Sequence, residues 1–174
     1  MKSRAGFLLV AILVALAAVA QEEFSDLKNF FRVDKQICTG GQPSMDHLAK
    51  MKERGVKAVI NLRRASEYDA EAEAAKAKAL GLRYFQIPVD GSDPKDEQAD
   101  EFLKVTADPA NRPMFIHCAA ANRVGAFWMI RRVLVDKWKM EPAEEEATKV
   151  GLRSPVMRAF ALDYIARHQK KQGS

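Results

Sequence analysis

Short apolar segments alternate with helical segments through the middle of the chain, and this alternation limits the possible folds most strongly. Residues 56–62, 82–89 and 113–117 are predicted strands, and the first is β-branched and mostly apolar, as in a buried parallel strand. Between them, residues 69–80 are rich in Ala, Glu and Lys, and residues 95–107 also have a helical pattern. We therefore expect an α/β fold, with a mainly parallel central sheet flanked by helices.

The rest of the chain adds helices around this central unit. The predicted helices are one capped by Ser44 and closed by Gly55, residues 123–138, residues 142–150, and one opened by Ser154 and Pro155. The second of these is so apolar that we expect it to lie centrally. Residues 21–36 are expected to pack over the edge of the core, and residues 39–43 have the composition of a turn.

The first 20 residues have the pattern of a secretory signal. Lys2 and Arg4 precede an apolar run over residues 5–20, and Ala18 and Ala20 form an A-x-A cleavage site. An uncleaved anchor is the alternative, but the run is short for a bilayer span of about 20 residues. We predict cleavage after Ala20 and export to the periplasm or the medium. One domain over residues 21–170 and a disordered tail at 171–174 would remain.

Charge and cysteine content exclude several classes of protein. The formal charge of the whole chain is +5, from 28 basic and 23 acidic residues. Cleavage of the signal would remove Lys2 and Arg4, so 26 basic residues would remain and the formal charge would become +3. Because these charges are interspersed, we expect no nucleic-acid partner, and no stable membrane insertion after cleavage. His47 and His168 lack ligand spacing, and two cysteines cannot form a zinc finger, so no metal site or cofactor is predicted.

The segment from Phe115 to Gly125 contains the chemistry. It is predicted to be a strand, a short loop and the start of a helix, an arrangement in which inward-facing N–H groups and the helix N-terminus bind an oxyanion. Arg123 would add a bidentate fork of N–H donors. The same positive field would hold Cys118 as the nucleophilic thiolate. Alternatively, Cys118 is a buried cysteine that packs as a small apolar residue. The predicted lining is His117, Ala119, Ala120, Ala121, Asn122 and Val124.

Three predicted strands end in polar or reactive residues, at 61–63, 88–90 and 117–118. Because ligands of parallel sheets lie at the carboxyl ends of the strands, we expect these ends to converge on one site. Arg63 is then a candidate for substrate contact, and a surface ion pair is an equally good interpretation of it.

The chain resembles the cysteine-based protein phosphatases, and in particular their dual-specificity branch. It is most similar to the bacterial phosphatase-like domains named after beta-lactamase-hydrolase fusions. The resemblance spans residues 31–165 and rests on the motifs TGGQPS at 39–44, GVKAVINLR at 55–63 and HCAAANRVG at 117–125. It implies hydrolysis of phosphoproteins or small phosphoesters through a cysteinyl-phosphate. Cys118 would attack phosphorus, Arg123 would clamp the phosphoryl oxygens, and an aspartic acid would protonate the leaving oxygen.

Two features depart from the pattern of these phosphatases. Only four residues separate Cys118 from Arg123, where most members have five; four is also the spacing of rhodanese sulfurtransferases. Val124 stands where a Ser or Thr usually eases departure of the thiolate. The loop also lacks glycine, although Asn122 tolerates a left-handed conformation. A sulfurtransferase with a Cys118 persulfide and a weakly catalytic phosphate-binding module therefore remain as alternatives.

The remaining assignments follow from the resemblance and from export. Asp90, which ends a predicted strand, is favoured as the general acid over Asp93 and Asp96, and Asp93 is also suited to cap the helix at 95. His117 either tunes the thiolate or is simply a buried polar residue. In an oxidising compartment, Cys38 could pair reversibly with Cys118.

Overall fold

The computed structural model describes residues 24–172, and the described part is a five-stranded sheet with helices on both faces. The strands are β1 (Phe31–Arg32), β2 (Ile37–Gly40), β3 (Ala58–Asn61), β4 (Arg83–Gln86) and β5 (Met114–His117). The α-helices are α1 (Met45–Glu53), α2 (Ala70–Ala79), α3 (Asp96–Ala107), α4 (Asn122–Leu134), α5 (Met140–Val150) and α6 (Pro155–Gln172). Single 3-10 turns lie at Ala65–Glu67 and Pro109–Asn111.

The sheet order β1-β2-β5-β3-β4 places β5 at the centre. The pairs β2–β5, β5–β3 and β3–β4 are parallel, and only the edge strand β1 is antiparallel. This confirms the predicted fold class. His117 is in register with Gly40 on one side and Asn61 on the other, so the carboxyl ends of three strands meet at one edge of the sheet.

Alternating side chains of the central strands divide the core into two layers. Ile60 and Ile116 pack with the apolar faces of α3, α4, α5 and α6. Val59 and Phe115 point the opposite way, toward α1, α2 and residues 24–30. The aromatic N-terminal segment therefore covers one face of the sheet, close to the prediction that it packs over the core edge. Within residues 24–172, no helix has the length and apolarity that crossing a membrane requires.

Strands β1 and β2 were not predicted, and the turn expected at 39–43 is wrong for its first two residues. Thr39 and Gly40 belong to β2, which pairs with β1 and β5. Gly40 has a packing reason for its small size, because an added Cβ would lie 3.3 Å from the Phe115 ring and 3.4 Å from Leu27. Composition alone indicates a turn here, whereas close approach between the sheet and residues 24–30 requires a glycine within a strand.

Three predicted boundaries also change. The second predicted strand, 82–89, corresponds to β4 and ends at Gln86, so Val89 and Asp90 follow the strand instead of ending it. The central helix ends at Leu134 rather than 138, and the chain then turns through Lys137, whose φ is 60°. Helix α6 continues to Gln172 and so includes the first two residues of the segment predicted to be a disordered tail. The predicted signal and its cleavage site lie outside the described residues.

Candidate active site

The loop between β5 and α4 forms the predicted oxyanion cradle. Its carbonyl oxygens turn away from the cradle: that of Ala119 accepts the Gln42 N–H at 3.4 Å, and that of Ala120 accepts the Asn29 side-chain amide at 3.0 Å. Among the described residues, the backbone N–H groups of Ala119, Ala120 and Asn122 make no hydrogen bond. These donors, together with the N-terminus of α4, form a site suited to an anion.

The left-handed residue of the loop is Ala121, not Asn122 as predicted. Ala121 has φ 59° and ψ 5° and is fully buried against Gly151, where an added Cβ would lie 2.9 Å from the Ala121 Cβ. Asn122 is already helical. Its side-chain oxygen accepts the N–H groups of Arg153 and Ser154 at 2.6 and 2.7 Å, which joins the loop to the α5–α6 connection. The Asn122 side chain therefore supports the loop from behind.

Arg123 is 8% exposed and is held along one edge of its guanidinium group. Nη1 and Nη2 donate to the two carboxylate oxygens of Glu67, each at 2.7 Å, and Nη1 also reaches the carbonyl oxygens of Leu62 and Val89 at 3.1 and 2.8 Å. Nε and the second Nη2–H donate to no oxygen of the described residues, and the guanidinium interacts with the neighbouring Cys118 sulfur through its charge and a hydrogen bond. This pair of donors is the fork that a phosphoryl group requires.

Arg123 and Glu67 form an ion pair in which each group stabilises the charged form of the other. Hydrogen bonds from Arg123 lower the pKa of Glu67 to about 2. Burial alone would lower the pKa of Arg123, but Glu67 and the neighbouring Cys118 raise it. The guanidinium thus lies beside the Cys118 thiol, as predicted, and keeps its positive charge.

Cys118 is 1% exposed at the start of the loop and belongs to the core layer on the α4 side. Its backbone N–H donates to the Gly40 carbonyl at 3.4 Å. Val124 is fully buried in the same layer, and because it is a valine it has no hydroxyl to present to the sulfur. The loop therefore brings together the predicted nucleophile and the predicted phosphate-binding arginine.

The alternative in which Cys38 pairs reversibly with Cys118 is not formed in this structure, since both cysteines are free. Cys38 is in register with Phe115, three residues before Cys118, and it belongs to the opposite core layer. A separation of about 10 Å along the strand, with side chains on opposite faces, exceeds disulfide geometry. Burial raises the pKa of the Cys38 thiol to about 12, so this sulfur is inert.

His117 is fully buried and is bonded to a carboxylate that the sequence did not indicate. Its Nε2 lies 2.9 Å from Glu73 on α2, and its Nδ1 has no partner among the described residues. Glu73 also accepts from Asn61 and Tyr84, each at 2.9 Å, and from Gln42. Desolvation would raise the pKa of Glu73, but the hydrogen bond and charge of His117 hold it below its ordinary value.

Of the three acid candidates, Asp90 lies nearest the site. The carbonyl oxygen of the preceding residue, Val89, accepts a hydrogen bond from Arg123 Nη1, and Asp90 itself is paired with Arg64. Asp93 binds Lys95 at 2.5 Å and does not cap α3, whose N-cap is Lys95. Asp96 forms a two-contact pair with Arg167 on α6. Asp93 and Asp96 are thus held in ion pairs with Lys95 and Arg167, whereas Asp90 directly follows a residue that contacts Arg123.

Arg63 forms the ion pair that was the alternative interpretation of it, since its Nε lies 3.5 Å from Glu67 Oε2, although the pair is largely buried and not at the surface. It is only 12% exposed, and it donates to Gln42 at 2.7 Å and to the Glu67 backbone while it lies over the Tyr68 ring at 4.6 Å. Arg63 thus fixes the 3-10 turn that presents Glu67 to Arg123.

Glu67 and Glu73 are the functional residues that the sequence analysis missed. Both lie between the first and second predicted strands, in segments whose composition indicates only a loop and a solvated helix. The single available signal for Glu73 is weak: it lies on the same helix face as the buried Ala77. Among residues 24–172, no group of His, Cys, Asp and Glu side chains is arranged to hold a metal.

Comparison with known proteins places this site in a family. The family model described as "DSP-PTPase phosphatase fused to NAD+ Kinase" matches residues 11–162. The chain belongs to this family. The match confirms the cysteine-based phosphatase superfamily, of the dual-specificity and tyrosine phosphatase type, that the motifs predict.

Individual relatives agree with this family. A beta-lactamase hydrolase-like protein of Xylella fastidiosa (strain Temecula1 / ATCC 700964) is 25% identical over 116 residues, which cover 64% of this chain and 27% of that protein. An inositol diphosphatase of Oryza sativa subsp. japonica is 33% identical over 95 residues, covering 52% of this chain and 42% of that one. A DUF442 protein of Shewanella putrefaciens CN-32 superposes with a TM-score of 0.71 at 25% identity, over 84% and 97% of the two chains. The matched region spans less than half of either curated relative.

Proposed function

We propose that this protein hydrolyses phosphate monoesters through a cysteinyl-phosphate intermediate on Cys118. The observation that supports this most directly is the Arg123 fork. Glu67 and two carbonyl oxygens hold one edge of the guanidinium, while Nε and one Nη2–H donate to no oxygen of the described residues and lie beside the Cys118 sulfur. Together with the free N–H groups of the loop, this fork can bind three phosphoryl oxygens above the nucleophile.

The proposed reaction has two steps. The Cys118 thiolate attacks phosphorus, an S–P bond forms, and the bond from phosphorus to the leaving oxygen breaks; that oxygen takes a proton from the acid. Water then attacks phosphorus and gives a proton to the carboxylate that the acid became in the first step. The S–P bond breaks, which restores the Cys118 thiolate, and inorganic phosphate leaves. Because Val124 supplies no hydroxyl to the departing sulfur, we expect the second step to be the slower one for good leaving groups.

Asp90 is the proposed acid, and its surroundings bear on the substrate. Hydrogen bonds from Ser92 lower the pKa of Asp90, and the charge of Arg64 lowers it further. A carboxyl that prefers its ionised form is a poor proton donor at neutral pH. We therefore propose substrates whose leaving groups need less protonation than an alkyl alcohol does, namely aryl phosphates, including phosphotyrosine, and phosphoanhydrides. The rice relative is named an inositol diphosphatase, which agrees with the second class.

The first test compares Cys118→Ser with Cys38→Ser, a substitution of the other buried cysteine, on p-nitrophenyl phosphate. We expect Cys118→Ser to lose more than about a thousandfold in kcat while Cys38→Ser, normalised for folded protein, keeps the activity. Phosphate release that survives in Cys118→Ser would overturn the proposal. Turnover of thiosulfate with cyanide, without phosphate release, would instead support a sulfurtransferase. Phosphate binding with neither activity would support a binding module.

The acid is tested by leaving-group dependence. We expect Asp90→Asn to lower kcat/KM more for phenyl phosphate than for p-nitrophenyl phosphate, because only the poorer leaving group needs the proton. Asp93→Asn is the matched control and should leave both rates within about twofold. Equal losses on both substrates in Asp90→Asn would remove the assignment.

We also propose that the protein acts after export to the periplasm or the medium. This rests on the basic residues and apolar run before Ala20. The first described residue, Phe24, is already 2% exposed in the core, so the domain begins directly after the proposed cleavage site.

A further inference from the structure

We propose that Glu73 is a positioning residue that keeps the His117 ring doubly protonated, so that the ring's positive charge stabilises the Cys118 thiolate. The inference deepens the proposed function and rests on it. It concerns a carboxylate on α2, far from Cys118 in sequence and outside the motifs of the loop. It starts from three observations: the burial of Glu73, the identity of its partners, and the place of His117 in the chain.

Glu73 is a buried carboxylate surrounded by donors. The residue is 1% exposed, and four side chains, His117, Asn61, Tyr84 and Gln42, lie within hydrogen-bond distance of its two oxygens. An ionised carboxylate uses all of these donors, whereas a protonated one would leave at least one donor without an acceptor. The environment is therefore built for the charged form of Glu73.

A buried negative charge requires a positive partner. Of the side chains that contact Glu73 in the described structure, only His117 can carry a positive charge, since the others are amides and phenols. The two groups are 0% and 1% exposed and their atoms are 2.9 Å apart. A neutral ring would leave the carboxylate uncompensated inside the protein, at a cost of several kcal/mol. The ion pair is thus the arrangement that this pocket favours.

The positive ring lies directly before the nucleophile in the chain. The imidazole stacks on Phe115 with ring centroids 5.4 Å apart and faces the α2 side of the sheet, while Cys118 faces the α4 side. Because His117 is 0% exposed and Cys118 is 1% exposed, the charge acts on the thiolate through the protein interior, where electrostatic interactions are stronger than in water. No proton passes between the two: Cys118 releases its proton to water, and the ring keeps both N–H groups.

Other charged and titratable groups surround the pair. Burial raises the pKa values of Tyr68 and Tyr84, so both phenols stay neutral on their sides of the network. The Arg63 side chain meets the network at Gln42 and at the Tyr68 ring, and Arg123 faces Cys118 from α4. Arg123 remains when Glu73 is altered, so a substitution at Glu73 reports on the Glu73–His117 pair and not on the guanidinium.

The test is the rate at which iodoacetamide alkylates Cys118, measured from pH 4 to pH 9 in a Cys38→Ser background. We expect Glu73→Gln to move the pH midpoint upward by about one unit and to lower the rate at pH 6 by about tenfold. Glu71→Gln removes the same charge from an exposed position on the same helix and should change neither value. A Glu73→Gln profile that matches the parent would overturn the proposal.

Two further variants distinguish the effect of the Glu73 charge from the effect of its hydrogen bonds on the stability of the fold. Tyr84→Phe removes a hydrogen bond to the same carboxylate without removing its charge, so it should lower stability and leave the alkylation midpoint in place. In a His117→Gln background, Glu73→Gln should have no additional effect on the midpoint, because Glu73 acts through the ring. Additive shifts of the alkylation midpoint in the double variant would show that Glu73 does not act through the His117 ring. Alkylation needs no turnover, so the result stands whether or not phosphatase activity is found.

Discussion

Arg123 has two separate tasks, and different edges of its guanidinium perform them. Glu67 and the carbonyl oxygens of Leu62 and Val89 orient the group, and the free edge is left for an anion. The motif predicts the second task. The first depends on a glutamate 56 residues earlier, which no local pattern connects with Arg123.

The Glu67–Arg123 pair predicts a pH dependence of stability. Because the pKa of Glu67 is about 2 when folded and ordinarily 4.5, the pair's full contribution is present above pH 4.5 and is lost as pH falls toward 2. We expect Glu67→Gln to lower the free energy of unfolding by about 1–2 kcal/mol at pH 7. Its urea-unfolding curves should also shift less than those of the parent between pH 4.5 and pH 2. Parallel shifts in the two proteins would contradict this.

At the scale of elements, the loop is shaped by the helices behind it. Helix α4 approaches α5 so closely that a Cβ on Gly125 would lie 2.7 Å from the Ala147 carbonyl oxygen and 2.8 Å from the Leu152 nitrogen. Both are backbone atoms that cannot move aside separately. This contact, with the Asn122 bonds to Arg153 and Ser154, holds the N-terminus of α4 in place.

Gly125→Ala should therefore destabilise the protein, although alanine is the better helix former. We expect a loss of about 1–3 kcal/mol in the free energy of unfolding, because α4 must separate from α5. Gly91→Ala is the control: its nearest new neighbour would be Arg123 Cγ at 4.0 Å, and its stability should stay within about 0.5 kcal/mol of the parent. A stabilised Gly125→Ala would show that this helix contact is looser than the structure indicates.

At the scale of the whole molecule, the parallel sheet collects the ends of β2, β3 and β5 at one edge and sends the two cysteines to opposite faces. The N-terminal segment completes the second core layer with Phe24, Leu27 and Phe30. Export is compatible with this architecture, because a chain that starts at Gln21 keeps the three N-terminal side chains of this layer.

Expression of the full chain in a bacterial host tests the proposed processing. We expect intact-mass analysis of the periplasmic fraction to show a chain that begins at Gln21 and unfolds at the same temperature as a chain expressed directly from that residue. A chain that begins at Phe31 lacks three buried aromatic and aliphatic side chains and should unfold at a much lower temperature. Recovery of only the uncleaved chain, with the membrane fraction, would contradict cleavage.

The sequence by itself determined what is local. Hydrophobic periods, caps and glycine stops define three of the five strands and the order of the helices, and Cys118 to Arg123 form one contiguous loop, so the family and the two central reactive residues could be predicted. Tertiary structure decided the rest. The glutamates that bind Arg123 and His117 lie 56 and 44 residues away in the chain. The two aspartates Asp90 and Asp93 are distinguished by the ion pairs that they form. Strand register keeps Cys38 and Cys118 apart. The physical reason is that hydrogen bonds and ion pairs between distant residues depend on which faces the sheet brings together, and that information exists only once the chain is folded.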